Sequence, residues 1–198
     1  MKELSKGLLA GAMLLSSAFA GGASAAAAEP TKQANAGELT GLDRLLAMED
    51  MKNLRLTFCR SLDNRNFEAL RSTMADDYEL YFAQTQGPGG PDVRPPVVVH
   101  SADDFVNWFK MAISAQAGQI NDPALQGSSI HICVMPQFET VTANSARALW
   151  FINGSGGIGG QALGLGFERV VEDYVKINGK WLIKKSDARV EAQGAFQK

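Results

Sequence analysis

Leu62-Asp63-Asn64-Arg65-Asn66-Phe67-Glu68-Ala69-Leu70 closes the one long apolar stripe of the chain, which opens near Thr40 and ends near Met74. Within it, Met51, Leu54, Phe58 and Leu62 recur three and four residues apart. They therefore share one face of an amphipathic helix, with Cys59 and Asp63 along one edge of that face. An ionised carboxylate beside a core needs a partner. Asp63 is thus either a helix-end cap for the next turn or a site residue held against another side chain.

Outward from that stretch, Thr40 with Asp43 resembles a capping box in which Asp replaces Glu, and the helix it opens is expected to run to about Leu62. The Asn64-Arg65-Asn66 break predicts a second, short helix from Phe67 to Met74. Tyr78 to Phe82 has the aromatic density of a strand. From Gln84 to Pro96 the glycines and prolines exclude helix and central strand alike, leaving a surface loop placed to lie over a pocket mouth. Ser101 then caps a helix whose apolar face carries Phe105, Trp108, Phe109 and Ala112. Trp108 is either core or the lining of a ligand cavity.

From Ser128 the period changes to two. Ser129, His131, Cys133 and Met135 share one strand face, and Ile130, Ile132 and Val134 the other. Pro136 calls for a bulge or an edge position. Further strands are expected over Phe138 to Thr142, Ala146 to Ile152, Leu165 to Ile177 and Trp181 to Val190, with Asn178-Gly179 as a two-residue hairpin turn. Helices first and antiparallel strands late imply an α+β domain with its sheet folded over its helices.

With 198 residues, 45% of them hydrophobic, the chain has material for one core of ordinary size. A formal charge of −2 and scattered Lys and Arg argue against a nucleic-acid partner. At the N-terminus, Lys2 and Lys6 precede the apolar run Leu8 to Ala20, and Ala23-Ser24-Ala25 or Ala18-Phe19-Ala20 supplies a cleavage site. Residues 1–25 read as a signal peptide, residues 26–39 as a disordered linker and residues 40–192 as the folded domain. The product is expected to be periplasmic or secreted, with no stable membrane insertion after cleavage; an uncleaved N-terminal anchor is the other reading.

Two His and two Cys, far apart in sequence, make no zinc set, so no metal is expected. Gly154, Gly156 and Gly159 spell a dinucleotide-binding pattern, but glycines continue to Gly166 and a β-patterned segment follows where a helix is needed. A flexible hairpin loop accounts for them, and no cofactor is expected. What remains is His131 on a strand face, Asp63 on a helix edge and several Tyr in apolar surroundings. An imidazole titrating near neutrality can act as a base while a carboxylate fixes its tautomer. For His131, a hydrogen-bonded core histidine is the alternative.

Leu62-Asp63-Asn64-Arg65-Asn66-Phe67-Glu68 resembles the helix-turn motif of SnoaL-like proteins. Tyr81 in the first strand, His131 in the strand after the third helix and Tyr174-x-Lys-Ile-Asn-Gly-Lys-Trp181 in the closing hairpin repeat the layout of that family. The resemblance covers about Thr40 to Val190. It implies the cone-shaped nuclear transport factor two-like fold, in which a curved, mostly antiparallel sheet wraps helices around an internal pocket. It also implies a small hydrophobic ligand, polyketide-like or steroid-like, and dehydratase or isomerase chemistry next to a carbonyl. The catalytic pattern is similar to scytalone dehydratase: Asp63 and His131 match its dyad and Tyr81 one of its tyrosines. Leu62 stands in place of the other tyrosine, and Glu168 and Val170 replace a polar pair. Leu62, Trp108, Cys133, Glu168 and Val170 are the expected ligand contacts. A non-catalytic binding module of the same fold, and a homodimer through the outer face of the sheet, are the other roles the resemblance allows. If Asp63 meets His131, Cys59 lies one helical turn back and Cys133 two residues along the strand, steps of about 6 Å each, so the cysteines either bridge or remain two thiols.

Overall fold

A computed structural model describes residues 37–117, 127–158 and 161–195. The signal peptide expected over residues 1–25 and nearly all of the linker lie outside them. Among the described residues, no helix is long and apolar enough to cross a membrane.

The N-terminal stripe forms α1 (Gly41–Asp63), which buries Ala47, Met51, Leu54, Phe58 and Cys59. Thr40 is extended and makes no side-chain cap, so the anticipated capping box is not formed. A short α2 (Phe67–Arg71) follows, with the Asn66 side chain accepting the Ala69 N–H at 3.1 Å. It stops before the expected Met74 because that residue already opens β1 (Met74–Gln84). After β2 (Val97–Val99) and α3 (Ala102–Ala117) come four long strands: β3 (Gly127–Val141), β4 (Ser145–Ile158), β5 (Gln161–Ile177) and β6 (Lys180–Ala195).

They make one six-stranded sheet in the order β2-β1-β6-β5-β4-β3. All neighbours are antiparallel except β1 and β6, which are parallel. The α+β architecture expected from the sequence is therefore present, with helices packed into a mostly antiparallel sheet. Pro136 sits where the β3 register shifts, on the strand at the sheet edge, so both of its anticipated signatures occur together. Asn178 and Gly179 make the last turn with φ of 51° and 79°, the left-handed pair that a tight hairpin requires.

One expectation is corrected. Gly154 and Gly156 belong to no loop: they lie inside β4, paired to β3 on one side and to β5 on the other. A Cβ at Gly154 would stand 3.7 Å from the His131 ring, in ordinary contact, and one at Gly156 would meet nothing within 4 Å. Gly159 lies outside the described residues.

Two ties hold α1 to the sheet. Arg55 turns inward and its guanidinium pairs with Glu172 of β5, which is fully buried. Glu172 also accepts hydrogen bonds from Tyr174 and, at 3.1 Å, from Ser186 of β6. The second tie is covalent: Cys59 and Cys133 form a disulfide across 74 residues, with Cα atoms 7.0 Å apart. Unreduced protein is therefore expected to show no alkylatable thiol, and one bridge by intact mass. The Cys59→Ser/Cys133→Ser variant is expected to lose about 2–4 kcal/mol in a denaturant titration; unchanged stability would mean that the bridge does not constrain the fold.

Candidate active site

Asp63 is the last residue of α1, and His131 lies near the start of the edge strand β3. His131 Nδ1 lies 2.6 Å from Asp63 Oδ1. A carboxylate only accepts, so Nδ1–H donates and the lone pair is left on Nε2. The His131 backbone N–H donates to Asp63 Oδ2 at 3.0 Å, and the Ser129 hydroxyl donates to Oδ1 at 3.3 Å. Three donors thus hold the carboxylate. Among the described residues β3 is the end strand of the sheet, and at residue 131 its outward amide donates to the helix-end aspartate, which caps that stretch of the strand edge.

His131 opens onto a cavity of about 410 Å³ between the helices and the concave face of the sheet. Its apolar wall is aromatic: Phe58, Phe82, Phe105, Trp108 and Phe109 all contribute. Phe105 organises them, lying 5.5 to 6.3 Å from the rings of Phe58, Tyr78, Trp108 and Phe109. Of the expected ligand contacts, Leu62, Trp108, Glu168 and Val170 all line this cavity.

Two expected site residues are placed elsewhere. Tyr81 lies between Leu80 and Phe82, both of which line the cavity, and strand alternation turns its ring to the outer face of the sheet. There its hydroxyl donates to Asp92 at 2.5 Å, under the Arg189 guanidinium 4.5 Å from the ring centre. Cys133 is withheld by its bond to Cys59, and it is Cys59 that reaches the cavity wall. The tyrosine that does line the cavity is Tyr78, fully buried and hydrogen-bonded with Ser186. Burial pushes its phenol well above the usual range, so it is a neutral O–H donor.

Arg55 also escapes the sequence reading. It sits on the apolar face of α1 and lines the cavity, with its guanidinium 4.7 Å from the centre of the Phe58 ring. Its Nε is buried without a hydrogen-bond partner among the described residues. A signal was available: Glu168, Val170, Glu172 and Tyr174 share one face of β5, and an acid among inward-facing residues demands a cation. Glu168 is raised above the usual carboxyl range, chiefly by burial, and the charges of His131 and Arg55 offset this in part.

Residues 43–187 match the family model of the SnoaL-like domain, and the chain belongs to that family. Solved structures agree on the fold. A candidate scytalone dehydratase from Novosphingobium aromaticivorans is 14% identical with a TM-score of 0.59, over 78% of this chain and 90% of that one. The hexachlorocyclohexane dehydrochlorinase LinA-type3 from Novosphingobium barchaimii is 18% identical with a TM-score of 0.59, over 79% and 94%. ActVI-ORFA from Streptomyces coelicolor is 14% identical with a TM-score of 0.52, over 73% and 95%. No curated protein matches the sequence.

The raised Glu168 carboxyl sets a pH dependence of stability. The folded state binds this proton more tightly than the unfolded chain, so the contribution is fully present below the unfolded value and is lost as pH rises through the raised folded one. Glu168→Gln is therefore expected to raise Tm at about pH 7, with the gain shrinking toward about pH 4. A gain that does not vary with pH in a series of thermal melts would contradict this assignment.

Proposed function

We propose that this chain is an exported, cofactor-independent lyase or isomerase that removes a proton next to a carbonyl of a small hydrophobic molecule. The observation that carries the reading is the 2.6 Å Asp63–His131 contact on the wall of an aromatic-lined cavity. In this scheme His131 Nε2 takes the proton from carbon, and Asp63 stabilises the imidazolium that forms. Tyr78, in place of Tyr81, turns its O–H from Ser186 to the developing oxyanion. The proton then either returns at a second carbon, an isomerisation, or departs with a leaving group on the β carbon, an elimination. Export is supported by Lys2 and Lys6 ahead of the apolar Leu8 to Ala20 run. A Cys59–Cys133 bridge suits an oxidising compartment.

His131→Ala and Asp63→Asn are each expected to lower deuterium uptake at the α carbon of a bicyclic ketone panel by about 10²- to 10⁴-fold, with Tm and ligand affinity retained. Full exchange in either variant would refute the scheme. The absence of Tyr at Leu62 favours a second reading, a ligand-binding module without chemistry. Saturable binding with no exchange in the unmodified protein would select it.

The convex face of the sheet supports association with a second copy. Ile130, Ile132, Val134, Phe151, Leu165 and Phe167 are all exposed, and the β3–β4–β5 register places them side by side. Ile132→Glu/Phe167→Glu is expected to reduce the sedimentation mass from dimer to monomer; a monomeric starting protein would remove the homodimer.

A further inference from the structure

Glu168 and Glu172 share the inward face of β5, four residues apart, and the fold treats them oppositely. Glu172 is answered by Arg55, Tyr174 and Ser186. Glu168 lines the cavity, and among the described residues no group hydrogen-bonds to its carboxyl. Its partners across the sheet are Ile152 of β4 and Val190 of β6, and Val170 follows it on the same face; all three are buried. A carboxyl left in that setting without a donor costs stability. Such a cost, kept at the wall of a cavity, points to use of the group.

The placement of Glu168 relative to His131 suits a second proton carrier. In the sheet register Glu168 lies opposite Ile152, and Ile152 opposite Cys133, two residues along from His131. The two side chains thus rise from one face two strands apart, about 10 Å across the sheet and about 7 Å along it at the backbone. No hydrogen bond joins them, yet the charge of His131 acts on the carboxyl. An interval of this kind admits two adjacent carbons of a substrate, one at the imidazole and the next at the acid. The other O–H groups of the lining are engaged: Ser129 donates to Asp63, Ser186 donates to Glu172, and Tyr78 serves the oxyanion. Guanidinium groups hold their protons too tightly to give one up.

Resting on the reading of His131 as the base, we propose that Glu168 is the acid of the same reaction, a catalytic residue that gives its proton to an oxygen leaving the β carbon. His131 Nε2 takes the α proton, and the electron pair of that C–H bond becomes the new C=C bond. The C–O bond at the β carbon breaks toward oxygen, which takes the Glu168 proton and departs as water. Glu168 is left as carboxylate and His131 as imidazolium, and a proton returning from one to the other through solvent restores both. Burial favours the neutral carboxyl before reaction, whereas positive charge on His131 and Arg55 favours the carboxylate. His131 gains its charge only on taking the α proton, so the acid strengthens as its proton is needed. The substrate class is then a hydrophobic β-hydroxy carbonyl compound, and the reaction an elimination.

Loss of hydroxide needs an acid, and loss of acetate does not. The aldol adduct of benzaldehyde with acetone and the acetate ester of that adduct both yield benzylideneacetone, whose absorbance follows either reaction. The unmodified protein is expected to eliminate both. Glu168→Gln keeps the size of the side chain and a hydrogen-bond donor but has no proton to transfer. It is expected to lower kcat/KM for the alcohol by about 10²- to 10⁴-fold, and for the acetate by at least about tenfold less, with Tm retained. His131→Ala should lower both alike. An equal loss for the two leaving groups in Glu168→Gln, or no loss for the alcohol, would overturn the proposal. Deuterium exchange at the α carbon of the alcohol without elimination keeps the base and removes the acid. Neither exchange nor elimination in the unmodified protein removes the base, and the role of Glu168 falls with it.

Discussion

Glu172 is the constraint on which the interior depends. A carboxylate with no exposed surface costs several kcal/mol unless every lone pair is answered, and here the answers come from three separate elements. Arg55 arrives from α1, Tyr174 from the same strand and Ser186 from β6. Trp150 of β4 completes the chain by donating to the Tyr174 hydroxyl at 2.8 Å. Apolar contacts would tolerate a small rotation or slide of the helix along the sheet. Directional bonds to a buried charge do not. The cluster therefore fixes the azimuth of α1, and with it the direction in which Asp63 leaves the last turn.

The dyad depends on that azimuth, and the disulfide reinforces it one turn away. Cys59 and Asp63 are four residues apart on the helix, and Cys133 and His131 two apart on the strand. A covalent bond and a charge-assisted hydrogen bond thus join the same two elements at adjacent rungs. Fixing the separation at the first rung lowers the entropy lost in forming the second. The proposed reaction asks that its base be held to a fraction of an ångström, and His131 and Asp63 are set on packed elements rather than on loops.

How much of this was legible follows from which signals are local. The period of Met51, Leu54, Phe58 and Leu62 located α1, although Leu42, Leu45 and Leu46, all exposed, blur its stripe at the start. Asn178-Gly179 named its own turn. The meeting of Asp63 with His131 came from the order of elements in a family, which no single motif carries. Tyr81 follows from its match to a family tyrosine, whereas Tyr78, Leu80 and Phe82 alternate along β1 on the cavity face and leave Tyr81 on the other. Glycines 154 and 156 read as a loop because propensity favours one, whereas pairing on both flanks overrides it. Arg55 and Glu172 lie 117 residues apart, so the inward face of β5 announces that Glu172 needs a cation but not which residue supplies it.

The parallel pairing of β1 with β6 has a consequence for the order in which the molecule can be made. Lys184 reaches the backbone of Asp77, 107 residues earlier, and Ser186 of the same last strand both closes the Glu172 cluster and lines the cavity. Until the final strand emerges during synthesis, β1 lacks its long partner and the interior acid lacks one of its donors. Contacts of such high sequence separation are slow to form, since loop entropy is lost before they return anything. The cavity is therefore among the last features to exist in each new chain, and a chain cut short before β6 keeps the residues of α1, α2, α3 and β1 to β5 but lacks Ser186 and Ala188 of the lining.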